Sequence, residues 1–375
     1  MVSKTVQQEF APGTHPDLPP PVNTTGIIGW SRKNLFSSPL NTILTLLAML
    51  LLWKSLPPLF EWAVINSVST ADSREQCWNQ MSSPGAGACW AFIKDRVELF
   101  TYGFYPPPLR WRVNISFVLL ALAVVPVLYE KLPYRKYGLI YSAVFPFIAG
   151  WLLVGGFGLE QVDTDQFGGI MLTLIIGVTG ISFSLPIGVA LALGRQSNMP
   201  VLKILCVLFI EFIRGVPLIT LLFVASTMLN YFLPPGTVYA LLVRVLIMVT
   251  LFASAYMAEV IRGGLQAIAK GQHEAGDSLG LTYWQAHRLI ILPQAMKISI
   301  PGIVSTFIGL YKDTTLVLII GMMDILGLGN ASLADAKWAG LANEVYIFVA
   351  LYFFISCFSM SRYSLYLEKK LHTGH

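Results

Sequence analysis

Apolar positions along this chain gather into long runs separated by short polar islands. Eight runs read as bilayer crossings, at roughly 41–60, 114–129, 138–157, 169–193, 201–232, 238–261, 298–322 and 344–367. Most approach or exceed the ~20 residues that a helix needs to span hydrocarbon. The fifth is too long for one straight crossing. Gly215-Val216-Pro217 predicts a kink there, because proline removes a backbone donor and clashes with the preceding turn. The expected fold is an all-α polytopic membrane protein with about eight transmembrane helices.

The polar island at 262–297, between the sixth and seventh runs, has its own punctuation. Gly280 reads as a helix stop, where positive φ is tolerated. Thr282 and Gln285 then have the spacing of a capping box. The island is therefore a helix, a tight break and a second helix at the membrane surface. The small residues Ala275, Gly276 and Gly280 would let another surface approach the backbone, with Glu274 at the head of the group. That suits a docking element on a membrane subunit. An ordinary amphipathic loop helix is the alternative reading.

Composition agrees with the runs. Hydrophobic residues make up 55% and charged residues 12% of the 375, against about a quarter charged in soluble domains. The net charge of +5 fits loop bias on one side of a membrane better than nucleic-acid binding. Arg32, Lys33, Lys131, Arg135, Lys136, Arg195, Lys203, Arg262, Lys270, Arg288, Lys297, Arg362, Lys369 and Lys370 all fall on one side. By the positive-inside rule that side is the cytosol, with both termini in it. Glu160, Asp163, Asp165, Asp324 and Asp335 fall on the other, where Arg110 and Arg112 are the exception. Residues 1–40 read as a polar, Pro-rich cytosolic arm without a cleavable signal, expected to be mostly disordered.

The segment at 41–167 supplies three crossings and a loop at about 61–112 on the non-cytosolic side. Cys77 and Cys89 lie in that loop, where the compartment permits a disulfide, so a bridge is expected, with two free thiols as the alternative. Cys206 and Cys357 fall inside crossings and read as small packing residues. No metal-ligand spacing, catalytic constellation or phosphate-cradling G-x-x-x-x-G-K-[ST] loop is present. The chain is expected to be no enzyme and to carry no cofactor of its own.

Charges at bilayer depth are costly and usually face a partner or a wet cavity. Glu211 and Arg214, and again Glu259 and Arg262, have an i, i+3 spacing that allows pairing along one helix face. Asp313 stands near the middle of the seventh run, next to Lys312 and followed by Thr314 and Thr315. A carboxylate there can meet an ammonium group or pair with a cation such as Arg214. Structural pairing is the alternative for the other charges.

Glu274-Ala-Gly-Asp-Ser-Leu-Gly280 resembles the E-A-A-x-x-x-G loop of ABC importer membrane subunits. Its flanks resemble the polar amino-acid branch of that family: Glu211-Phe-Ile-Arg-Gly-Val-Pro217, Ala255-Tyr-Met-Ala-Glu-Val-Ile-Arg-Gly-Gly264, Leu292-Pro-Gln-Ala295 and Lys312-Asp-Thr-Thr315. The likeness covers roughly 168–370, which it makes a five-helix permease core whose coupling loop lies at about 263–297. One departure is Gly276 where the family has alanine, which weakens the helix by about 1 kcal/mol. The added crossings, with Gly87-Ala-Cys-Trp90 and Tyr105-Pro-Pro-Pro108, resemble the general L-amino-acid importers.

The resemblance implies a permease subunit that moves L-amino acids across the bacterial inner membrane. It implies a second homologous permease subunit, an ATPase dimer that holds ATP and Mg, and a periplasmic amino-acid-binding protein. Glu274, Ala275, Gly276 and Gly280 would couple to the ATPase. Asp313, Thr314, Glu211, Arg214 and Glu259 would line the substrate path. One alternative is a structural, coupling half of a heterodimeric permease in which only the sister subunit binds substrate. A carrier working alone on an ion gradient is another, and the docking motif argues against it.

Overall fold

The computed structural model describes residues 26–371, except 233 and 235–238. The chain divides into two units: one holds the described residues up to Val68 together with Trp78–Ala88, the other Ser69–Cys77 and Cys89 onward. In the first, α1 (Gly26–Asn34) falls within the segment expected to lack structure, so the end of the arm is helical. Ser38 then caps α2 (Pro39–Phe60), its Oγ accepting from the Asn41 N–H at 3.2 Å. Two prolines, Pro57 and Pro58, sit inside α2, and a π-helical turn, Glu61–Ile65, follows at once. Prolines remove backbone donors, and a wider turn is one way for the chain to stay helical past them.

The second unit begins with short helices, α3 (Arg74–Asn79, whose last two residues belong to the first unit), α4 (Trp90–Asp95) and α5 (Val97–Tyr102). Long helices follow: α6 (Arg110–Leu128), α7 (Arg135–Val154), α8 (Gly169–Gln196) and α9 (Pro200–Gly215). After α10 (Leu218–Phe223) come α11 (Leu241–Gln266), α12 (Lys270–Ser278), α13 (Tyr283–Ala286), α14 (Leu292–Asp313), α15 (Ile325–Ser332) and α16 (Ala342–Leu371). Among the described residues, seven helices are long and apolar enough to cross a membrane, and an eighth crossing is counted if α9 and the following stretch, Leu218–Met228, are one span. That pair bends by 102° at Val216-Pro217. The expected kink is therefore a sharp turn in which the second piece abandons the direction of the first.

The core forms around α8, α11 and α14. Leu172, Ile176, Val245, Val249 and Leu310 are buried between them. Small residues set the spacing. A Cβ at Gly188 on α8 would lie 2.6 Å from Met257 Cγ on α11, and one at Gly264 on α11 would lie 2.6 Å from the Ala295 carbonyl oxygen. Without a hydrophobic drive between helices in lipid, such close backbone approach is what holds them.

At the end of the core where α8 begins, residues 69–105 of this unit fold into a cap. Cys77 and Cys89 are joined in a disulfide, with Cα atoms 6.0 Å apart. Arg74 donates to the Ala339 carbonyl at 2.6 Å, and Arg96 pairs with Asp335. Trp338, fully buried, donates from Nε1 to Asp95 at 3.1 Å and packs on Phe92. Glu344, at the start of α16, accepts the Cys89 N–H at 3.0 Å. The two exceptional arginines are also used here: Arg110 pairs with Glu98 at 2.5 Å, and buried Arg112 donates to the Glu160 carbonyl at 2.7 Å. Asp324 is wholly buried and caps α15 through Oδ1, which accepts the Gly327 N–H at 2.8 Å. Its Oδ2 has no hydrogen-bond partner among the described residues. Burial pushes this carboxyl up to about 6.

Candidate functional site

The opposite ends of the same helices carry a hairpin and a charge cluster. The hairpin is α12, a break, and α13. It stops α12 through a paired arrangement at its C-terminus: the Leu281 N–H reaches the Gly276 carbonyl at 3.1 Å and the Gly280 N–H reaches Asp277 at 2.9 Å. Gly280 has φ +68, the left-handed conformation that this closing pattern requires. Thr282 then caps α13, and Gln285 Oε1 accepts from both its backbone N–H and its hydroxyl at 2.9 Å. Gln294 ties the hairpin back to α14 through Gln272 at 2.9 Å.

The small residues divide their work. A Cβ at Gly276 would already lie 3.3 Å from Ala286 Cβ, so this position lets α12 and α13 close on each other rather than admitting an outside surface. Glu274, Ala275 and Gly280 are exposed, and around Gly280 there is open space. Beside them stand Leu279, 73% exposed, and Trp284, 68% exposed. Sequence reasoning passed over these two. Their signal was a large apolar residue on either side of the Gly280 break. His287 is buried beneath, its ring 3.9 Å from that of Tyr283.

The charge cluster joins α8, α9 and α11. Glu259 is its hub, with only 15% of its side chain exposed. It meets Arg195 at 2.9 Å, Arg262 at 2.8 Å and Arg214 at 3.5 Å. Arg195 also pairs with Glu211 at 2.7 Å, and Arg214 lies 5.5 Å over the Tyr256 ring. The expected Glu211–Arg214 pair is thus replaced. Both residues turn to partners on other helices, because Arg195 at the end of α8 reaches Glu211 while Glu259 draws Arg214. Glu259 and Arg262 do pair along their own helix, as their spacing predicts. Arg195, sixteen residues before Glu211, had no local signal. Three arginines on two glutamates leave the cluster with one positive charge in excess.

Asp313 lies elsewhere. It ends α14, and the chain continues as a 3₁₀ turn, Thr314–Ile320, so the carboxylate stands at a change of helix type rather than within a continuous helix. It has no ion pair among the described residues, and Arg214 is committed to Glu259. Thr314 is buried, with its hydroxyl turned back to the Tyr311 carbonyl at 2.8 Å, and Thr315 does the same to Lys312 at 2.9 Å. The two hydroxyls therefore compensate the backbone at the change of turn. Cys206 and Cys357 are free thiols in crossings. Among the described residues no group of acidic, His or Cys side chains could hold a metal.

Residues 184–373 match the family described as binding-protein-dependent transport system inner membrane component. The chain belongs to that family. The inner membrane amino-acid ABC transporter permease protein YhdY of Escherichia coli is 48% identical over 96% of this chain and 97% of its own length. The glutamate/glutamine/aspartate/asparagine transport system permease protein BztC of Rhodobacter capsulatus is also 48% identical, over 95% of this chain and 96% of its own. A crystal structure of an amino acid ABC transporter with histidines is 29% identical, covering 54% of this chain and 92% of that one, with a TM-score of 0.48. In this inner membrane transport component the family match takes in the charge cluster, the hairpin and Asp313, while both near-full-length relatives extend over most of the cap and the added helices as well.

Proposed function

We propose that this chain is the transmembrane permease subunit of an ATP-driven ABC importer that moves L-amino acids across a bacterial inner membrane. The near-full-length similarity to YhdY and BztC carries the reading. A partner ATPase binds and hydrolyses ATP with Mg and grips the hairpin, where exposed Glu274, Ala275, Leu279 and Trp284 offer a small-sided edge with apolar anchors. Movement of the hairpin passes through Gln294 into α14 and through α11 into the charge cluster. A second homologous permease subunit completes the pathway, and a periplasmic amino-acid-binding protein delivers the substrate. The lysine and arginine bias supports a cytosolic hairpin and cytosolic termini. Asp313, exposed in part at the end of α14, supplies negative charge to the path for a substrate ammonium. The structural-half alternative is not favoured, since both near-full-length relatives are themselves called permeases.

The test is uptake of radiolabelled L-glutamate by proteoliposomes that contain the chain with its partner permease and ATPase, supplied with a binding protein. Uptake should require ATP. Uptake by the chain alone under a proton or sodium gradient would overturn the reading. Asp313→Asn should lower ATP-driven uptake about tenfold, a loss of about 1.4 kcal/mol in the transport barrier, while the ATPase still co-purifies. Wild-type uptake in that variant would remove Asp313 from the path and leave the subunit assignment standing.

A further inference from the structure

Between α7 and α8 the chain makes a tight hairpin, Gly155-Gly156-Phe157-Gly158-Leu159, with a side chain at its tip that nothing in the fold uses. Phe157 is 99% exposed. Its φ is +48, in a region that a bulky residue rarely adopts. Glycine would sit there without strain, and Gly155, Gly156 and Gly158 around it all do, at φ +88, +92 and +96. The tip is nevertheless well held. Gly156 and Leu159 exchange backbone hydrogen bonds at 2.9 and 3.2 Å, and Trp151 Nε1 donates to the Gly156 carbonyl at 3.1 Å. Below it, Val162 donates to Val154 at 2.9 Å and buried Arg112 grips the Glu160 carbonyl.

An exposed aromatic held in a strained conformation on a hydrogen-bonded tip is pre-organised for a contact. Aromatic anchors of this kind carry much of the energy of protein interfaces. The surroundings separate a protein partner from lipid. Glu160, Asp163 and Asp165, which follow the hairpin's Leu159 within six residues, are exposed, and none is in an ion pair among the described residues. Carboxylates are costly to press into a bilayer, and anionic lipid repels them. A soluble protein with an apolar pocket rimmed by lysine or arginine meets both features. By the orientation given above, this tip faces the side from which substrate arrives.

We infer that Phe157 and the three carboxylates form a docking knob for the periplasmic amino-acid-binding protein. This rests on the importer reading. Complementary charge at the rim speeds encounter and makes it salt-sensitive.

The experiment places p-benzoyl-phenylalanine at position 157 of the full chain in its own membrane and irradiates intact cells. The adduct is identified by mass spectrometry, and L-glutamate uptake is measured alongside for F157A and F157G. The expected adduct is a soluble amino-acid-binding protein, and its yield falls about tenfold when Glu160, Asp163 and Asp165 are all changed to lysine. F157A should lower uptake at limiting binding protein about tenfold, and raising the binding-protein level should restore it. F157G relieves the backbone strain and should lose uptake equally, which separates loss of the ring from loss of fold. Adducts with lipid only, adducts with another class of protein, or unchanged uptake in F157A would overturn the knob. If the unmodified chain supports no ATP-driven uptake, the importer reading falls and the knob with it; if only F157A is without effect, the importer reading survives.

Discussion

The two ends of the helix bundle hold their helices by different means. At the end with the cap, partly exposed pairs such as Arg110–Glu98 stand beside contacts that are covalent or buried: a disulfide, a fully buried Trp338, a buried Glu344 that accepts the Cys89 N–H, and buried Arg112 on a backbone carbonyl. At the end with the hairpin, α8, α9 and α11 are joined by charged side chains, several of them half exposed. Glu211 has 54% of its side chain in the open and Arg214 34%. Partly exposed ion pairs are worth little each and can be exchanged for water or for one another. Buried, shape-matched contacts cannot be given up piecemeal. On the proposed coupling role of the hairpin, the cap would be a fixed base and the charge cluster a joint whose partners could be re-dealt. If the hairpin is the coupling element proposed above, the second arrangement is the one that suits it.

The largest effect on transport that would test this difference is at the hairpin. Glu274→Arg reverses an exposed charge on α12 without touching the Gly276–Ala286 contact inside the hairpin. ATP-driven uptake should fall by at least tenfold, about 1.4 kcal/mol, while the amount of chain in the membrane and its melting temperature stay near wild type. Equal uptake, with the ATPase still bound, would mean that the stroke enters elsewhere. The cap should answer in the opposite way. Replacing Cys77 and Cys89 with serine opens a twelve-residue separation and should cost roughly 3 kcal/mol in stability. Thermal unfolding of the purified chain measures it. A fixed base predicts that uptake per folded molecule is little changed below the new melting temperature. A large loss of uptake without loss of stability would make the cap a moving part.

The same contrast explains what the sequence disclosed. The crossings were legible because each is a long apolar run, and the hairpin because its stop and caps are local: Gly280 needs positive φ, and Thr282 and Gln285 meet across three residues. The Cys77–Cys89 bridge was legible because both thiols lie in one loop, twelve positions apart. Arg195 in the charge cluster was hidden because its partners come from α9 and α11, and no periodicity encodes the approach of separate helices. Gly276 was legible as small, but what it is small for, Ala286 within its own hairpin, needed the fold. Asp313 was placed within a helix because the apolar run continues past it, and hydropathy does not register the change from α to 3₁₀ at Thr314. The cap's grip on the segment before α16 joins residues some 240 apart, and nothing local in either segment announces it.

The smallest expected effect on stability concerns Asp324, a carboxylate buried at the cap end with an oxygen that has no hydrogen-bond partner among the described residues. Desolvation raises its pKa to about 6, against the opposing effect of backbone N–H donors at the start of α15. In an unfolded chain an aspartate titrates near 3.9. The folded protein thus holds a proton that the unfolded chain has released, and stability must fall as pH rises between those values. Its contribution is fully present below the unfolded pKa and is lost as pH rises through about 6. Between pH 5 and 7 the loss amounts to about 1.4 kcal/mol for one such group, seen as a decline in melting temperature. Asp324→Asn keeps an oxygen for the Gly327 N–H and removes the titration. Its melting temperature should stay flat over the same range, crossing above the wild type near neutral pH. A wild-type decline that persists unchanged in Asp324→Asn would place the responsible proton on another group. If pH instead acted at the hairpin end, the division between a fixed cap and a movable joint would have to be redrawn.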